Sequence, residues 1–157
     1  MLLLITNSIN KRIVIVNILR AFLKMLFCFL VTVELANDTI NTASLIGTNA
    51  TLELSIDGKE KRFINGIITK ASIGLTSLVK NYPLTQYVLE IRPKLWLLTL
   101  NKNFKIYQEK STLDIIKAVL KDNGIEVSVK AKGGANVRQF CVQYNESDFD
   151  FVSRLME

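Results

Sequence analysis

The sequence predicts a mainly β protein of the α+β class, with two helices set among the strands. Three observations carry this. Apolar residues recur at every second position in several runs, the period of a half-buried strand. The pair Asp57-Gly58 separates two such runs, and both positions of a two-residue hairpin turn favour φ > 0. Two later segments instead open on a serine, carry a carboxylate three residues on, and space their apolar residues three and four apart, the pattern of N-capped helices.

The apolar stretch at 13–33 comes first. Asn17, Arg20 and Lys24 interrupt it, and a charged residue near the centre of a span costs about 2.5–3.5 kcal/mol. The longest unbroken apolar run, Met25–Val31, is far shorter than a membrane helix needs. The spacing of 17, 20 and 24 suits an amphipathic helix, so residues 1–26 read as an apolar leader. From Phe27 the period becomes two: Phe27, Phe29, Val31, Val33 and Leu35 alternate with Cys28, Leu30, Thr32 and Glu34, which predicts a strand.

Residues 36–49, rich in Asn, Thr, Ser and Asp, read as a loop with a short turn. Leu52, Leu54 and Ile56 mark a strand before the Asp57-Gly58 turn, and the chain returns as a strand over 62–70. Gly66 inside that strand signals a bulge or a close backbone approach. Residues 71–83 read as a connection. A strand over 85–91 places Tyr87, Leu89 and Ile91 on one face, and Pro93 closes it. Leu95–Leu100 is compact and apolar, and Phe104–Gln108 is a further short strand.

Ser111 and Asp114 open the first helix, whose stripe is Leu113, Ile116, Val119 and Leu120, and Gly124 stops it. A strand over 125–130, a turn at Gly133-Gly134 and a strand over 138–144, with Phe140, Val142 and Tyr144 on one face, follow. Ser147 and Asp150 open the second helix, whose stripe is Phe151, Val152, Leu155 and Met156. That stripe meets Glu157 with no closing signal, so the chain reads as the front part of something longer.

Composition excludes much chemistry. At 157 residues the chain is sized for one ordinary domain. It contains no histidine, so Ser-His-Asp and Cys-His catalysis and every His-based metal site are ruled out. Cys28 and Cys141 cannot form a disulfide framework or a four-ligand zinc site and read as small apolar strand residues. Net charge is +6, yet no cation run exceeds two residues and no aromatics interleave, so the charge reads as a solvated surface. Asp148 and Asp150 sit where carboxylates complement a helix N-terminus. Catalytic, metal-binding and cofactor-binding constellations are therefore not expected.

Two stretches carry a resemblance. Leu89–Ile125, with Arg92-Pro93 followed by Leu95-Trp96-Leu97-Leu98-Thr99, and Arg138–Glu157, with Cys141, Gln143-Tyr144, Glu146-Ser147-Asp148, Asp150-Phe151 and Ser153-Arg154-Leu155, closely resemble the N-terminal hub region of VgrG, the spike protein of bacterial type VI secretion systems. Ser44–Lys70, with Phe63, Gly66, Ile67 and Thr69, resembles the same region. The resemblance spans Phe27–Glu157.

It implies a partial barrel-like β-domain of the phage baseplate hub type with two side helices. It also implies a structural part of a spike or contractile-tail hub rather than an enzyme, needing no cofactor or metal. The implied partners are a homotrimer, an Hcp-like tube protein on which the hub docks, and a PAAR tip reached only through a needle that this chain does not include. Intact members are bacterial and leave the cytoplasm through the type VI machine. Residues 1–26 and the stop at Glu157 depart from the family pattern, and a remnant of a spike gene is the reading those departures suggest.

Within this frame Leu95, Trp96, Leu97 and Leu98 are the candidate core or interface anchor. Two alternatives come from other classes. A basic nucleic-acid-binding module rests on the +6 charge alone, and binding that falls steeply with salt would mark it. A membrane-anchored small protein rests on residues 13–33.

Overall fold

The computed structural model describes residues 2–6, 14–23, 26–36, 40–56, 60–79, 82–128 and 136–157, and the chain forms two compact units, Met1–Pro93 and Lys94–Glu157. The first is a six-stranded antiparallel sheet. Its strands are β1 (Leu2–Thr6), β2 (Val14–Leu23), β3 (Leu26–Ala36), β4 (Asn49–Ile56), β5 (Glu60–Val79) and β6 (Tyr82–Arg92). Their order across the sheet is β1-β4-β5-β6-β3-β2. The two edge strands, β1 and β2, come close without pairing, so the sheet curls toward a barrel and stays open.

The inside of that curl is the core, and strand alternation fills it. Phe29, Val31, Val33 and Leu35 of β3 are buried, as are Tyr87, Leu89 and Ile91 of β6. Ala50 and Leu52 of β4, Ile68 of β5 and Leu45 from the 3-10 turn Thr42–Leu45 complete it. The Tyr87 hydroxyl accepts a hydrogen bond from the Ile40 N–H at 3.1 Å, tying the loop before that turn to the sheet. The second unit begins with a 3-10 turn, Lys94–Thr99, followed by β7 (Lys102–Ser111), α1 (Thr112–Asp122), β8 (Val137–Ser147) and α2 (Asp148–Met156). β7 and β8 pair as an antiparallel ribbon, and both helices contribute to one core with Leu98, Ile115, Val119, Leu120, Cys141, Phe151, Val152 and Leu155.

Several expectations are corrected. Val14–Leu23 is a strand, not an amphipathic helix. Its residues are rich in β-branched types, and β3 supplies a full ladder from Val14 opposite Glu34 to Leu23 opposite Leu26. Residues 71–79 and 82–84 are strand as well, extending β5 and β6 into one long hairpin beyond the expected ends. In α1 the deeply buried residues are Ile115, Val119 and Leu120, while Leu113 is only half-buried, so the stripe is rotated from the one expected. Residues 125–128 are not strand. Ile125 instead ends α1: its N–H donates to the Leu120 carbonyl at 2.9 Å, and the Gly124 N–H donates to the Lys121 carbonyl at 2.9 Å. Gly124, at φ +66, permits this Schellman closure. Asp57-Gly58 and Gly133-Gly134 lie outside the described residues, although Ile56 and Glu60 pair on either side of the first.

Gly66 is a close-approach glycine. A Cβ there would lie 2.5 Å from the Arg92 carbonyl oxygen and 2.8 Å from Ile91 Cγ2, both in the neighbouring strand. The irregularities in the pairing of β5 with β6 fall elsewhere, between Ile68 and Lys70 and between Ile73 and Thr76. Gly66→Ala is expected to destabilise the sheet by about 1–3 kcal/mol, because a backbone oxygen cannot swing aside as a side chain can. Urea unfolding of the variant beside the parent checks this, and an unchanged midpoint would show that β5 and β6 are not this close.

Candidate assembly surfaces

The second unit is built around a buried carboxylate. Ser147 caps α2: its hydroxyl accepts from the Asp150 N–H at 3.0 Å and donates to the Asp150 carboxylate at 2.7 Å. Ser111 and Asp114 repeat the arrangement at α1, at 3.1 and 2.6 Å. Each pair satisfies a free N–H of the helix start. The cap places Asp148 at the first position of α2, facing inward and 2% exposed. Its Oδ1 accepts from Asn103 Nδ2 and Gln143 Nε2, each at 2.8 Å, and its Oδ2 accepts from Asn123 Nδ2 at 3.0 Å. One side chain thus joins β7, the end of α1, β8 and α2. Burial pushes its pKa up, but the three amide bonds, led by Gln143, and the nearby Lys105 charge outweigh that and hold it below the usual carboxylate value.

The sequence reading placed Asp148 and Asp150 together at the helix start, whereas the structure separates their roles. Asp150 completes the cap and Asp148 ties the unit. Gln143 lies 5 residues from Asp148, but Asn103 and Asn123 lie 45 and 25 residues away, so nothing local announces those two.

The ribbon has two unlike faces. Tyr107, Cys141 and Gln143 face the helices, and the Tyr107 ring stacks on Phe151 with centroids 5.6 Å apart. The other face carries Phe104, Ile106, Phe140, Val142 and Tyr144, all exposed, Tyr144 by 75%. They are cross-strand neighbours, with Phe104 opposite Tyr144 and Ile106 opposite Val142, and the rings of Phe104 and Tyr144 meet edge-on at 5.2 Å. This is the face that Phe140, Val142 and Tyr144 were expected to share, and it is turned to solvent.

The candidate anchor residues divide. Leu98 is fully buried in the core of the second unit, Trp96 and Leu97 are half-buried, and Leu95 is exposed. In the first unit the long hairpin exposes Ile73, Leu75 and Leu78. Nearer its base, Glu90 accepts from Arg92 Nε at 2.7 Å and from the Thr69 hydroxyl at 2.8 Å. Burial raises the Glu90 pKa, and these partners overcome it, so the group lies low. Both cysteines are free, and burial raises the pKa of the Cys28 thiol. Among the described residues there is no group of three or more His, Cys, Asp or Glu that could hold a metal ion, and no helix is long and apolar enough to cross a membrane.

An open, curled antiparallel sheet and a helix-backed ribbon presenting apolar surface define a β-rich assembly module. The chain belongs to the phage tail baseplate hub (GPD) family, whose model matches residues 23–157. The type VI secretion system spike protein VgrG1c of Pseudomonas aeruginosa is 35% identical over 123 residues, covering 78% of this chain and 16% of that protein. VgrG3 of Vibrio cholerae is 32% identical over 130 residues, covering 82% and 12%. The chain therefore spans a small part of the length of these relatives. Among solved structures, the E. coli c3393 protein, a type VI secretion component similar to the T4 bacteriophage tail proteins gp27 and gp5, matches with a TM-score of 0.71 at 21% identity, over 98% of this chain and 42% of that one. The 43 kDa tail protein of prophage MuSo2 from Shewanella oneidensis matches with a TM-score of 0.66 at 16% identity, over 98% and 46%. The partial hub fold expected from the motifs is the fold observed.

Proposed function

We propose that residues 27–157 form the front portion of a spike or contractile-tail hub and act by assembly, without catalysis of their own. The observation that carries this reading is the family match over residues 23–157 together with the hub fold over 98% of the chain. The proposed assembly is a homotrimer that docks on an Hcp-like tube, with a PAAR-type tip reached only through a needle outside this chain. The proposed location is the bacterial cytoplasm before assembly and the type VI secretion route afterwards. The half-buried Trp96 and exposed Leu95 are proposed as contacts of that assembly, with Leu98 anchoring their turn from within.

The test is co-expression of the tagged full chain with intact P. aeruginosa VgrG1c and its tube protein, followed by affinity capture and analytical ultracentrifugation. The expected result is a complex containing the chain and spike protomers. Recovery of the chain solely as a monomer, with neither protein retained, would overturn the reading.

A further inference from the structure

We infer that Asn123-Gly124, at the end of α1, is a covalent modification site: when the second unit opens, Asn123 deamidates through attack by its own backbone, and the carboxylate produced opposes refolding of the unit around Asp148. The inference stands apart from the hub reading.

The chain has two Asn-Gly pairs, Asn65-Gly66 and Asn123-Gly124. In such a pair the glycine nitrogen, with no Cβ beside it, can reach the asparagine Cγ. The N–Cγ bond forms and the Cγ–Nδ2 bond breaks. The side-chain nitrogen leaves as ammonia, carrying the proton of the glycine N–H. Water then opens the five-membered imide at one carbonyl or the other. The product is aspartate or, with one more methylene in the main chain, isoaspartate. Water is the only co-reactant.

The folded unit holds both reacting groups. The Gly124 N–H donates to the Lys121 carbonyl at 2.9 Å, and Asn123 Nδ2 donates to the Val119 carbonyl at 2.9 Å and to Asp148 Oδ2 at 3.0 Å. Attack gives up the first bond and departure of ammonia the other two, so the reaction waits on local opening.

The two pairs differ in what a carboxylate does once formed. Asn65 bonds through its oxygen: Oδ1 accepts from the Thr51 hydroxyl at 2.8 Å on an exposed stretch of sheet, and a carboxylate accepts there equally well. Asn123 bonds through its nitrogen, and a carboxylate has no proton to donate. At 123 it would also set a second negative charge against Asp148, which is 2% exposed. Like charges brought together out of water cannot both stay ionised without cost. Isoaspartate would further displace Gly124 and Ile125, whose N–H groups close the helix.

The test follows the full chain in mildly alkaline buffer, folded and in urea, reading tryptic peptides by mass spectrometry for conversion of amide to acid. Cleavage after Lys121 and Lys130 isolates the Asn123-Gly124 pair. Conversion at 123 is expected to be slower in the folded chain by about tenfold or more. Equal rates would overturn the inference. Three variants then test the product by urea unfolding. Asn123→Asp should lower the midpoint or abolish the transition of the second unit. Asn123→Ala, which drops the same two bonds and adds no charge, should lower it less, and Asn65→Asp should leave it unchanged. A midpoint for Asn123→Asp equal to the parent's, or no lower than that of Asn123→Ala, would also overturn the inference. A chain that failed to join a spike would give the same rates and midpoints, so the two readings fail separately.

Discussion

Asp148→Ala is expected to cost on the order of 3–4 kcal/mol, because it strands three amide donors in and around a core where each unsatisfied group costs about 1–3 kcal/mol. The donors are Asn103, Asn123 and Gln143, from three different elements. Loss of the carboxylate should therefore loosen the ribbon, the end of α1 and the start of α2 together. Hydrogen exchange checks this, since the backbone amides of β7, β8 and α2 should lose protection while those of β3 and β6 keep theirs. Loss confined to α2 would mean that Asp148 is only a helix-start residue.

The same group sets a pH dependence. Its folded pKa lies below the unfolded value of about 3.9, so the native state holds the deprotonated form more tightly. The stability it contributes is fully present above the unfolded pKa and is lost as pH falls through the folded one. Unfolding midpoints measured from pH 6 down to pH 2.5 should decline for the parent. Asp148→Asn should flatten that decline, having no proton to take up there. An equally steep decline in the variant would assign the acid sensitivity to other carboxylates.

Phe151→Ala is expected to cost about 3–5 kcal/mol, the range for emptying a fully buried aromatic site. Phe151 is 0% exposed, lies flat against Tyr107, and carries the Arg154 guanidinium 5.3 Å from its ring centroid. The site is enclosed by β7 and α2, so collapse into the cavity would require both to move. Met156→Ala, from the same predicted stripe but 67% exposed, should change stability by less than about 0.5 kcal/mol. Denaturant unfolding of both variants separates the two, and equal losses would show that the end of α2 is packed more deeply than it is here.

Much of this fold is legible in single residues. Ser111 and Ser147 mark their helix starts because a serine hydroxyl satisfies a free N–H locally, and Gly124 marks a helix end because glycine takes the left-handed turn required without steric cost. Tyr87, Leu89 and Ile91 reveal their buried face through alternation. Val14–Leu23 misleads because Asn17 and Arg20, with Lys24 just after the strand, happen to fall at helical spacing, and only the ladder offered by β3 decides against it. Residues 72–78 show little pattern because both faces of that part of the long hairpin are exposed, so burial imposes no alternation on it.

By itself the sequence determined the strand-rich class, both helix starts, the alternation of β3 and β6, and the motifs shared with the hub family, since each depends on local backbone chemistry or on residues adjacent in the chain. Which face of the ribbon is buried was decided only by the tertiary structure. Pattern alone favours the face of Phe140, Val142 and Tyr144, yet Cys141 and Gln143 are the residues buried. The buried face carries Cys141 and Tyr107, which pack in the core with Phe151, and Gln143, which joins Asn103 and Asn123 on the Asp148 carboxylate, and Asn103 and Asn123 lie far from Asp148 in sequence.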